Sequence, residues 1–381
     1  MRLRFVKMNP TGNTTIFVLD PVPVPEQARI AVALMDPSVL GGEQVGFVSL
    51  SSEGGPLRAG PARGHGPDIA ASLRMMGGEF CGNAARSLGA YLAYKHHPGL
   101  SWEGDVARGF IRVSGAKDPI EVEARLDQDA MPCWAGCTFP GPFRVVFYRA
   151  HGQALESGII YEPCSNAKGL SRTWLGMAAG ARAGARAPAD AESEANKEAE
   201  VRTASRAGTG TPTADASCDG QSMVAVVHLP GITHIVVDAD EYAPTEDVLF
   251  RLRSALGLEA EPCVGVMFCH GRRHGREHGH GHGHEHEHEH GHDDGHEDVM
   301  PLVHVSATGT TVWESSCASG AVAAALAKSI AGGHPGRFTS RQPRGTLYTT
   351  VDFGDGREPG RGATVRLEGE VRIVAEGDVF L

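Results

Sequence analysis

Two distant segments of this chain repeat one pattern. The first reads Gly78-Glu-Phe-Cys-Gly-Asn-Ala-Ala-Arg-Ser-Leu-Gly, and the second reads Glu314-Ser-Ser-Cys-Ala-Ser-Gly-Ala-Val-Ala-Ala-Ala. Each segment places a cysteine, Cys81 or Cys317, directly before a stretch of small residues that favours a helix. A duplication inside one chain predicts two similar structural units. We therefore expect two lobes, each containing a helix that begins at a cysteine.

Two segments between these motifs are too biased in composition to form a packed core. Residues 179–222 consist mainly of Ala, Gly, Glu, Ser and Thr with almost no large apolar side chain, so we predict a disordered insert there. Residues 270–299 form a second insert, in which histidines alternate with Gly or Glu. Because this insert holds 11 of the 19 histidines of the chain, it is the strongest candidate for metal binding in the sequence.

The remaining sequence is typical of an α+β protein. Residues 24–36 have the spacing of an amphipathic helix. Apolar, β-branched runs predict strands at 4–20 with a tight turn at 9–13, and further strands at 43–50, 264–268 and 302–305. We place an N-terminal lobe at 1–142 and a C-terminal lobe at 143–381, with a last strand that can return to the first lobe.

Charge and cysteine usage limit the class of protein. The formal net charge of −11 and the pI near 5.9 argue against nucleic acid as a partner, since phosphate binding needs clustered Lys and Arg. The first residues mix charges with apolar side chains, unlike a signal peptide, and no apolar run reaches membrane-spanning length. The 8 cysteines are spread along the chain rather than clustered as in a small disulfide-bonded domain. We therefore expect a reduced, cytoplasmic protein that binds small molecules rather than a membrane.

A cysteine at the N-terminus of a helix is suited to proton transfer. The unsatisfied backbone N–H groups and the positive end of the helix dipole favour the thiolate, which is a usable base. The same N–H groups can hold the carboxylate of an amino acid and stabilise the charge that develops there. If the helices of Cys81 and Cys317 face each other, one sulfur can remove an α-proton while the other protonates the opposite face. This arrangement predicts a racemase that needs no cofactor for catalysis.

The two motifs resemble those of the diaminopimelate epimerase superfamily. Its members carry Cys-Gly-Asn-Gly-Ala in one lobe and Cys-Gly-Ser/Thr-Gly in the other, where this chain has Cys81-Gly-Asn-Ala-Ala and Cys317-Ala-Ser-Gly-Ala. The loop Asn9-Pro-Thr-Gly-Asn13 and the run Thr233-His234-Ile-Val-Val are similar to two further elements of that superfamily. The resemblance implies two pseudo-symmetric lobes, each a curved, barrel-like β-sheet around a central helix, with the site in the cleft between them.

Within the superfamily, the chain is most similar to the histidine racemases of staphylopine-type metallophore pathways. The shared blocks are Asn9-Pro-Thr-Gly-Asn13, Glu43-Gln-Val-Gly-Phe47, Gly78-Glu-Phe-Cys-Gly-Asn-Ala84, Trp313-Glu-Ser-Ser-Cys317 and Gln342-Pro-Arg-Gly345. This resemblance implies a histidine racemase in which Cys81 and Cys317 are the catalytic residues. The substrate-binding residues that it implies are Asn13, Glu43, Gly82, Asn83, Glu314, Ala318 and Ser319.

Glu43 and a missing arginine favour histidine over diaminopimelate as the substrate. Diaminopimelate epimerases carry Glu-Arg-Gly shortly before the second cysteine, and that arginine holds the distal carboxylate of the substrate. This chain reads Thr308-Gly-Thr-Thr-Val-Trp-Glu314 in the same place and has no arginine there. A carboxylate at Glu43 could instead accept a hydrogen bond from an imidazole N–H.

Two alternatives stay open at the level of the sequence. The first is an epimerase or racemase for diaminopimelate, proline or another small amino acid. The second is a metal-binding or metal-storage protein that acts through its His-rich insert, because neutral imidazole binds nickel, zinc and copper. The histidines concerned are His278, His280, His282, His284, His286, His288, His290 and His292, and we expect them to be non-catalytic. We also expect a homodimer.

Overall fold

The computed structural model describes residues 1–51, 67–151, 160–163, 223–271, 293–306, 309–354 and 363–381. The predicted insert at 179–222 lies outside these residues. So do residues 272–292, which contain all eight histidines named above as metal ligands.

The N-terminal lobe is a closed barrel of strands. Its strands are β1 (Arg2–Pro10), β2 (Thr15–Val18), β3 (Gln44–Leu50), β4 (Ile69–Met75), β5 (Ser101–Glu103), β6 (Val106–Val113), β7 (Ile120–Leu126) and β8 (Pro132–Phe139). Pairing runs from β1 through β2, β3, β4, β6 and β7 to β8, and the final strand of the chain, β18 (Thr364–Phe380), pairs with both β8 and β1. The barrel is thereby closed with eight strands, and β5 is added at the edge of β6.

Helix α2 (Gly82–Tyr94) fills the interior of this barrel. All of its residues from Gly82 to Ala93 are buried, which is possible because most of them are small. The largest apolar side chains, Leu88 and Leu92, pack among β-strand residues of the main core. A second helix, α1 (Val24–Met35), has one apolar face and covers the outside of the barrel near β3.

The C-terminal lobe repeats the arrangement with a second sheet and a second buried helix. Its elements are β9 (Arg144–His151), β10 (Ile160–Pro163), β11 (Met223–Leu229), β12 (Ile232–Asp238), α3 (Glu246–Ala255), β13 (Cys263–Gly271), β14 (Asp293–Val305), β15 (Thr310–Trp313), α4 (Ala318–Gly332), β16 (Gly336–Gln342) and β17 (Gly345–Asp352). The sheet runs β9, β11, β12, β13, β14, β16, β17 and then β18. Helix α4 is buried against this sheet, and the amphipathic α3 packs on its outer face.

Strand β18 joins the two lobes. Its first half pairs with β17 of the C-terminal lobe on one side and with β8 on the other, and its second half pairs with β1. One continuous core therefore contains residues of both central helices, including Leu88 of α2 and Leu326 of α4. The prediction of an α+β fold with two barrel-like lobes around central helices is confirmed.

Candidate active site

Cys81 and Cys317 each cap a central helix with the sulfur atom. Cys81 precedes α2 with an extended backbone, and its Sγ accepts the N–H of Ala84 at 3.4 Å. Cys317 precedes α4 in the same conformation, and its Sγ accepts the N–H of Gly320 at 3.3 Å. The sulfur of each cysteine thus takes the place of the side-chain oxygen in an ordinary N-cap. The repeated sequence pattern corresponds to a repeated local structure.

The N-termini of α2 and α4 meet in the middle of the molecule. A Cβ atom built on Gly82 would lie 3.3 Å from the Cβ of Ala318 and 3.1 Å from Leu367. The side chain of Asn83 donates a hydrogen bond to the carbonyl of Ser316 at 3.3 Å, across the boundary between the lobes. Small residues after each cysteine permit this approach, and the first backbone N–H groups of both helices are therefore directed toward one region.

The surroundings of Cys81 come from the N-terminal lobe. Its thiol donates a hydrogen bond to Oε1 of Gln44 at 3.1 Å. The amide nitrogen of Gln44 in turn donates to Oδ1 of Asn13 at 2.6 Å and to the hydroxyl of Thr15 at 2.7 Å. Burial raises the pKa of the Cys81 thiol to about 11, although the N–H of Ala84 acts in the opposite direction. At neutral pH Cys81 is therefore held as a thiol.

Cys317 has a different set of neighbours. The hydroxyl of Ser319 lies 3.5 Å from its sulfur, and Nε2 of His234 lies 2.8 Å from that hydroxyl. Gln342 bonds both backbone groups of Cys317, accepting its N–H and donating to its carbonyl at 3.1 Å. Burial raises the pKa of the Cys317 thiol well above its ordinary value, and the carboxylate of Glu314 raises it further. Burial also lowers the pKa of His234 to about 3, so this imidazole is neutral.

Two carboxyl groups from opposite lobes, those of Glu43 and Glu314, lie near the start of α4. Glu314 accepts a hydrogen bond from the Cys317 thiol, and burial together with the charge of Glu43 raises its pKa to about 7. Partial burial also raises the pKa of Glu43, while a hydrogen bond from Ser315 and the charge of Arg344 lower it. Glu43 is therefore close enough to influence the ionisation of Glu314. At neutral pH Glu314 is present in both protonation states.

The turn between β1 and β2 docks against the C-terminal lobe. Thr11 and Gly12 both have positive φ angles, and the Gly12 N–H donates to Oδ1 of Asn9 at 2.7 Å. A Cβ atom on Gly12 would lie 2.2 Å from the Cβ of Arg344, so no larger residue fits there. This contact brings Asn13, at the end of the turn, into the same region as Gln44 and Cys81.

The comparisons with known proteins identify the family of the chain. A family model described as the histidine racemase CntK N-terminal domain matches residues 2–162 and 292–380, which is more than half of the chain. The chain belongs to the histidine racemase CntK family. The resemblance to histidine racemases stated from the motifs is thus confirmed.

Two curated histidine racemases support the assignment over part of the chain. A histidine racemase of Fusobacterium nucleatum strain ATCC 23726 is 31% identical over 127 residues, covering 33% of this chain and 39% of the relative. A histidine racemase of strain ATCC 25586 is 34% identical over 135 residues, covering 32% of this chain and 43% of the relative. The chain thus matches less than half of the length of either relative.

The fold of this CntK family member is also found in a solved structure. A phenazine biosynthesis protein of the PhzF family from Bacillus anthracis superposes with a TM-score of 0.53 at 11% identity, covering 100% of both chains. At that identity the match shows a shared fold.

The structure brings together every residue that the sequence of this CntK family member singled out in the two lobes. Asn13, Glu43, Cys81, Gly82 and Asn83 approach from one side, and Glu314, Cys317, Ala318 and Ser319 approach from the other. Among the residues that the structure describes, no group of three or more His, Cys, Asp or Glu could hold a metal ion. In the same part of the chain, no helix has both the length and the apolar character needed to cross a membrane.

Sequence reasoning missed several neighbours of the cysteines. Gln44 and Gln342 appeared only as members of similar blocks, yet each one bonds directly to a cysteine. Cys263, which no sequence motif indicated, lies close enough to Glu314 and Glu79 for both to raise the pKa of its thiol, after the larger effect of burial. The available signal for Gln44 was a polar residue at the start of an apolar strand, but its partner Cys81 could not be identified from sequence.

Proposed function

We propose that this chain is a cofactor-independent histidine racemase that inverts the α-carbon between Cys81 and Cys317. The observation that carries the proposal is the meeting of two cysteine-capped helix N-termini at Gly82 and Ala318. Membership of the CntK family and the names of the Fusobacterium relatives support it. The reaction class is isomerisation of a small amino acid.

The backbone at both helix ends binds the substrate carboxylate in this proposal. The N–H groups of Gly82 and Asn83 in α2, and those of Ala318 and Ser319 in α4, belong to first turns, where donors lack partners within the helix. A carboxylate held there accepts negative charge as the α-proton leaves, so the donors stabilise the carbanion-like transition state. The α-carbon then lies between the two sulfurs.

Proton transfer requires one sulfur as base and the other as acid. One thiolate removes the α-proton from one face while the opposite thiol donates its proton to the other face, which inverts the configuration. The two cysteines exchange protonation states in each turnover, so each form of the free enzyme binds one enantiomer productively. A thiol with a pKa of about 11 is ionised in only about one molecule in ten thousand at pH 7. The positive α-ammonium group of the substrate lowers this cost, because it favours the thiolate.

Glu43 and Glu314 recognise the imidazole ring of the substrate. A neutral imidazole has one N–H donor and one acceptor nitrogen, whereas a charged imidazolium has two donors. An ionised Glu43 accepts from the donor nitrogen. Glu314, whose pKa is about 7, can donate to the acceptor nitrogen of neutral histidine or accept from the charged form. The pair therefore matches a side chain that itself titrates near neutral pH.

Exchange of the α-proton with solvent tests the proposed function. The protein is incubated with L- or D-histidine in D₂O without pyridoxal phosphate or added metal, and products are analysed by chiral chromatography and mass spectrometry. We expect both enantiomers to form, with one deuterium in each inverted molecule. Parallel assays with diaminopimelate and proline identify the substrate class, and faster turnover of either would contradict the assignment to histidine.

We further infer that D-histidine made by this chain serves the biosynthesis of an opine-type metallophore, as in the pathways that its motifs resemble. The His-rich insert would then bind nickel, zinc or copper as a separate property, since imidazoles suit all three ions. We also propose a homodimer, which gel filtration with light scattering can test.

A further inference from the structure

Arg86 is a fully buried cation in the helix that begins at Cys81. It has no solvent exposure and is the largest completely buried side chain among the described residues. Most of the residues around it in α2 are small or apolar. Burial of a guanidinium group is costly unless its donors are used. Burial lowers the pKa of Arg86 to about 10, and within the described part of the chain no ion pair joins it to a carboxylate.

Neutral acceptors from three separate segments surround the guanidinium group. Oδ1 of Asn83 accepts from Nε at 3.2 Å and from Nη2 at 3.0 Å. The hydroxyl of Thr11 accepts from Nη2 at 2.7 Å, and the backbone carbonyl of Glu370 accepts from Nη1 at 2.9 Å. These acceptors belong to the first turn of α2, to the β1–β2 turn and to the strand β18 that both lobes share. We call Arg86 and these three acceptors the Arg86 clamp.

The clamp extends to the second cysteine through Asn83. Because Oδ1 of Asn83 accepts two N–H groups of Arg86, its amide nitrogen must point the other way, and it donates to the carbonyl of Ser316. Ser316 directly precedes Cys317. Thr11 makes a second connection, since its Cγ2 atom leaves no room for a Cβ atom on Gly345 of the other lobe. Asn83 and Thr11, which both accept hydrogen bonds from Arg86, therefore fix the position of one lobe relative to the other.

We propose that Arg86 is a positioning residue that sets the separation of the two catalytic sulfurs by fixing Asn83 against Ser316. This inference rests on the proposed function, because a separation of sulfurs matters only for two-base chemistry. Arg86 itself is enclosed by protein and does not contact substrate. Lysine would keep the positive charge, but its ammonium group lacks the two coplanar N–H donors that Oδ1 of Asn83 accepts from Arg86. An error of about 1 Å in the placement of reacting groups costs on the order of a hundredfold in rate.

The first test separates positioning from substrate binding. Arg86→Lys and Arg86→Met are compared with Arg108→Lys, a control at a partly exposed arginine of the same lobe that pairs with Glu103 and Glu123. We expect both Arg86 variants to lose kcat by about tenfold or more, with KM changed by less than about threefold. The control variant should stay within about twofold of the wild type. A rise in KM without a loss of kcat would overturn the proposal, since it would indicate a contact with substrate.

The second test does not depend on activity and therefore remains valid if the substrate is not histidine. Diamide oxidises two neighbouring thiols to a disulfide and takes up the two electrons and two protons, so the rate of Cys81–Cys317 linkage reports their separation. We expect slower linkage in Arg86→Lys than in the wild type. Asn83→Asp keeps an acceptor for Arg86 and should fold, but it cannot donate to Ser316, so it should show the same slow linkage.

A double variant completes the design. If Arg86 acts through Asn83, Arg86→Lys combined with Asn83→Asp should be no slower in linkage than the slower single variant. Additive losses would show that the two residues act separately, and wild-type linkage rates in folded Arg86 variants would exclude a positioning role. If Arg86→Met does not fold, Arg86→Lys and Asn83→Asp still decide the question.

Discussion

Cys81 and Cys317 have the same backbone role but different side-chain partners. Cys81 donates to an amide oxygen of Gln44, whereas Cys317 lies beside the hydroxyl of Ser319 and the carboxyl of Glu314. The two sulfurs are therefore unequal in the protein without substrate, even though the proposed reaction uses them in turn. The duplication supplies the shared geometry, and the unequal neighbours give each sulfur its own protonation behaviour.

Replacement of either sulfur should stop racemisation, because inversion needs an acid and a base on opposite faces. We expect Cys81→Ala and Cys317→Ala to lower kcat by roughly a thousandfold or more, with circular dichroism spectra like those of the wild type. Cys133→Ala is the matched control, since Cys133 is exposed on β8. Near-normal racemisation by either of the first two variants would remove that cysteine from the mechanism.

Replacement of Glu43 should reduce activity toward histidine more than activity toward substrates without an imidazole ring. In Glu43→Gln the charged acceptor is lost while the shape is kept, so kcat/KM for histidine should fall by about tenfold or more. A slow substrate without an imidazole ring should lose much less. Steady-state assays on both substrates measure the difference, and equal losses would mean that Glu43 only supports the fold.

The raised pKa of Glu314 predicts a pH-dependent cost to folding. The ordinary pKa of a glutamate carboxyl is 4.5. At a pH below this value, Glu314 is protonated in both the folded and the unfolded chain, so burial carries no ionisation cost. As the pH rises from 4.5 to about 7, the unfolded chain releases its proton first and the folded state loses stability. Glu314→Gln should therefore raise Tm at pH 8 but not at pH 4.5, relative to wild type. The control is Glu246→Gln, at an exposed position in the first turn of α3, which should show no such trend. A gain in Tm for Glu314→Gln that is equal at both pH values would contradict the argument.

At the scale of elements, the starts of the central helices were predictable, and the contacts between elements were not. A cysteine followed by small residues is a local signal, and α2 and α4 begin where the motifs predicted. The turn between β1 and β2, the helix α1 and the strand β3 were also predicted, since periodicity is local. The bonds from Gln44 to Cys81 and from Gln342 to Cys317 join residues far apart in sequence, and no local pattern indicates them.

Arg86 illustrates the same limit more sharply. In the sequence it is one charged residue in a predicted helix of small residues, where an exposed position would be the ordinary interpretation. Only the closed barrel around α2 makes it buried, and only the return of β18 supplies the carbonyl of Glu370.

Two glycines of α2 should separate catalysis from stability. A Cβ atom on Gly82 would press on Ala318 at the junction of the helix ends, whereas one on Gly89 would lie 2.8 Å from Val122 inside the barrel. We expect Gly82→Ala to lower kcat by about tenfold or more with a small change in Tm, because it shifts one sulfur relative to the other. Gly89→Ala should lower Tm and leave kcat nearly unchanged in the folded fraction. The reverse pattern in calorimetry and kinetics would show that the helix junction is not critical for the reaction.

At the scale of the whole molecule, the shared strand β18 makes the two lobes one structural unit. It pairs with β1 and β8 of one lobe and with β17 of the other, and both central helices belong to one core. A hinge motion that separates the lobes widely would break these pairings.

The His-rich insert should be separable from racemisation, because it connects two strands that are already neighbours. Strand β13 ends at Gly271 and β14 begins at Asp293, and the two strands pair in antiparallel register from Cys263 to Gly271. A variant that replaces the His-rich insert has to stop at residue 292, because Asp293 and His296 pair with β16. Glu297, further along β14, forms a buried ion pair with Lys328 of α4 at 3.1 Å. A replacement that included Glu297 would therefore disturb the helix that begins after Cys317.

Two variants of residues 272–292 test this separation of roles. The first replaces them with a Gly–Ser segment of equal length, and the second with a short Gly–Ser linker. We expect both to keep kcat and KM for histidine within about twofold of the wild type, while calorimetric titration with nickel or zinc shows that most metal binding is lost. In the wild type this binding should weaken below the imidazole pKa of about 6.5, since protonated histidine cannot bind a metal. A fall in racemisation of more than about tenfold in the folded equal-length variant would show that the histidines belong to the catalytic site, since that variant changes side chains but not chain length.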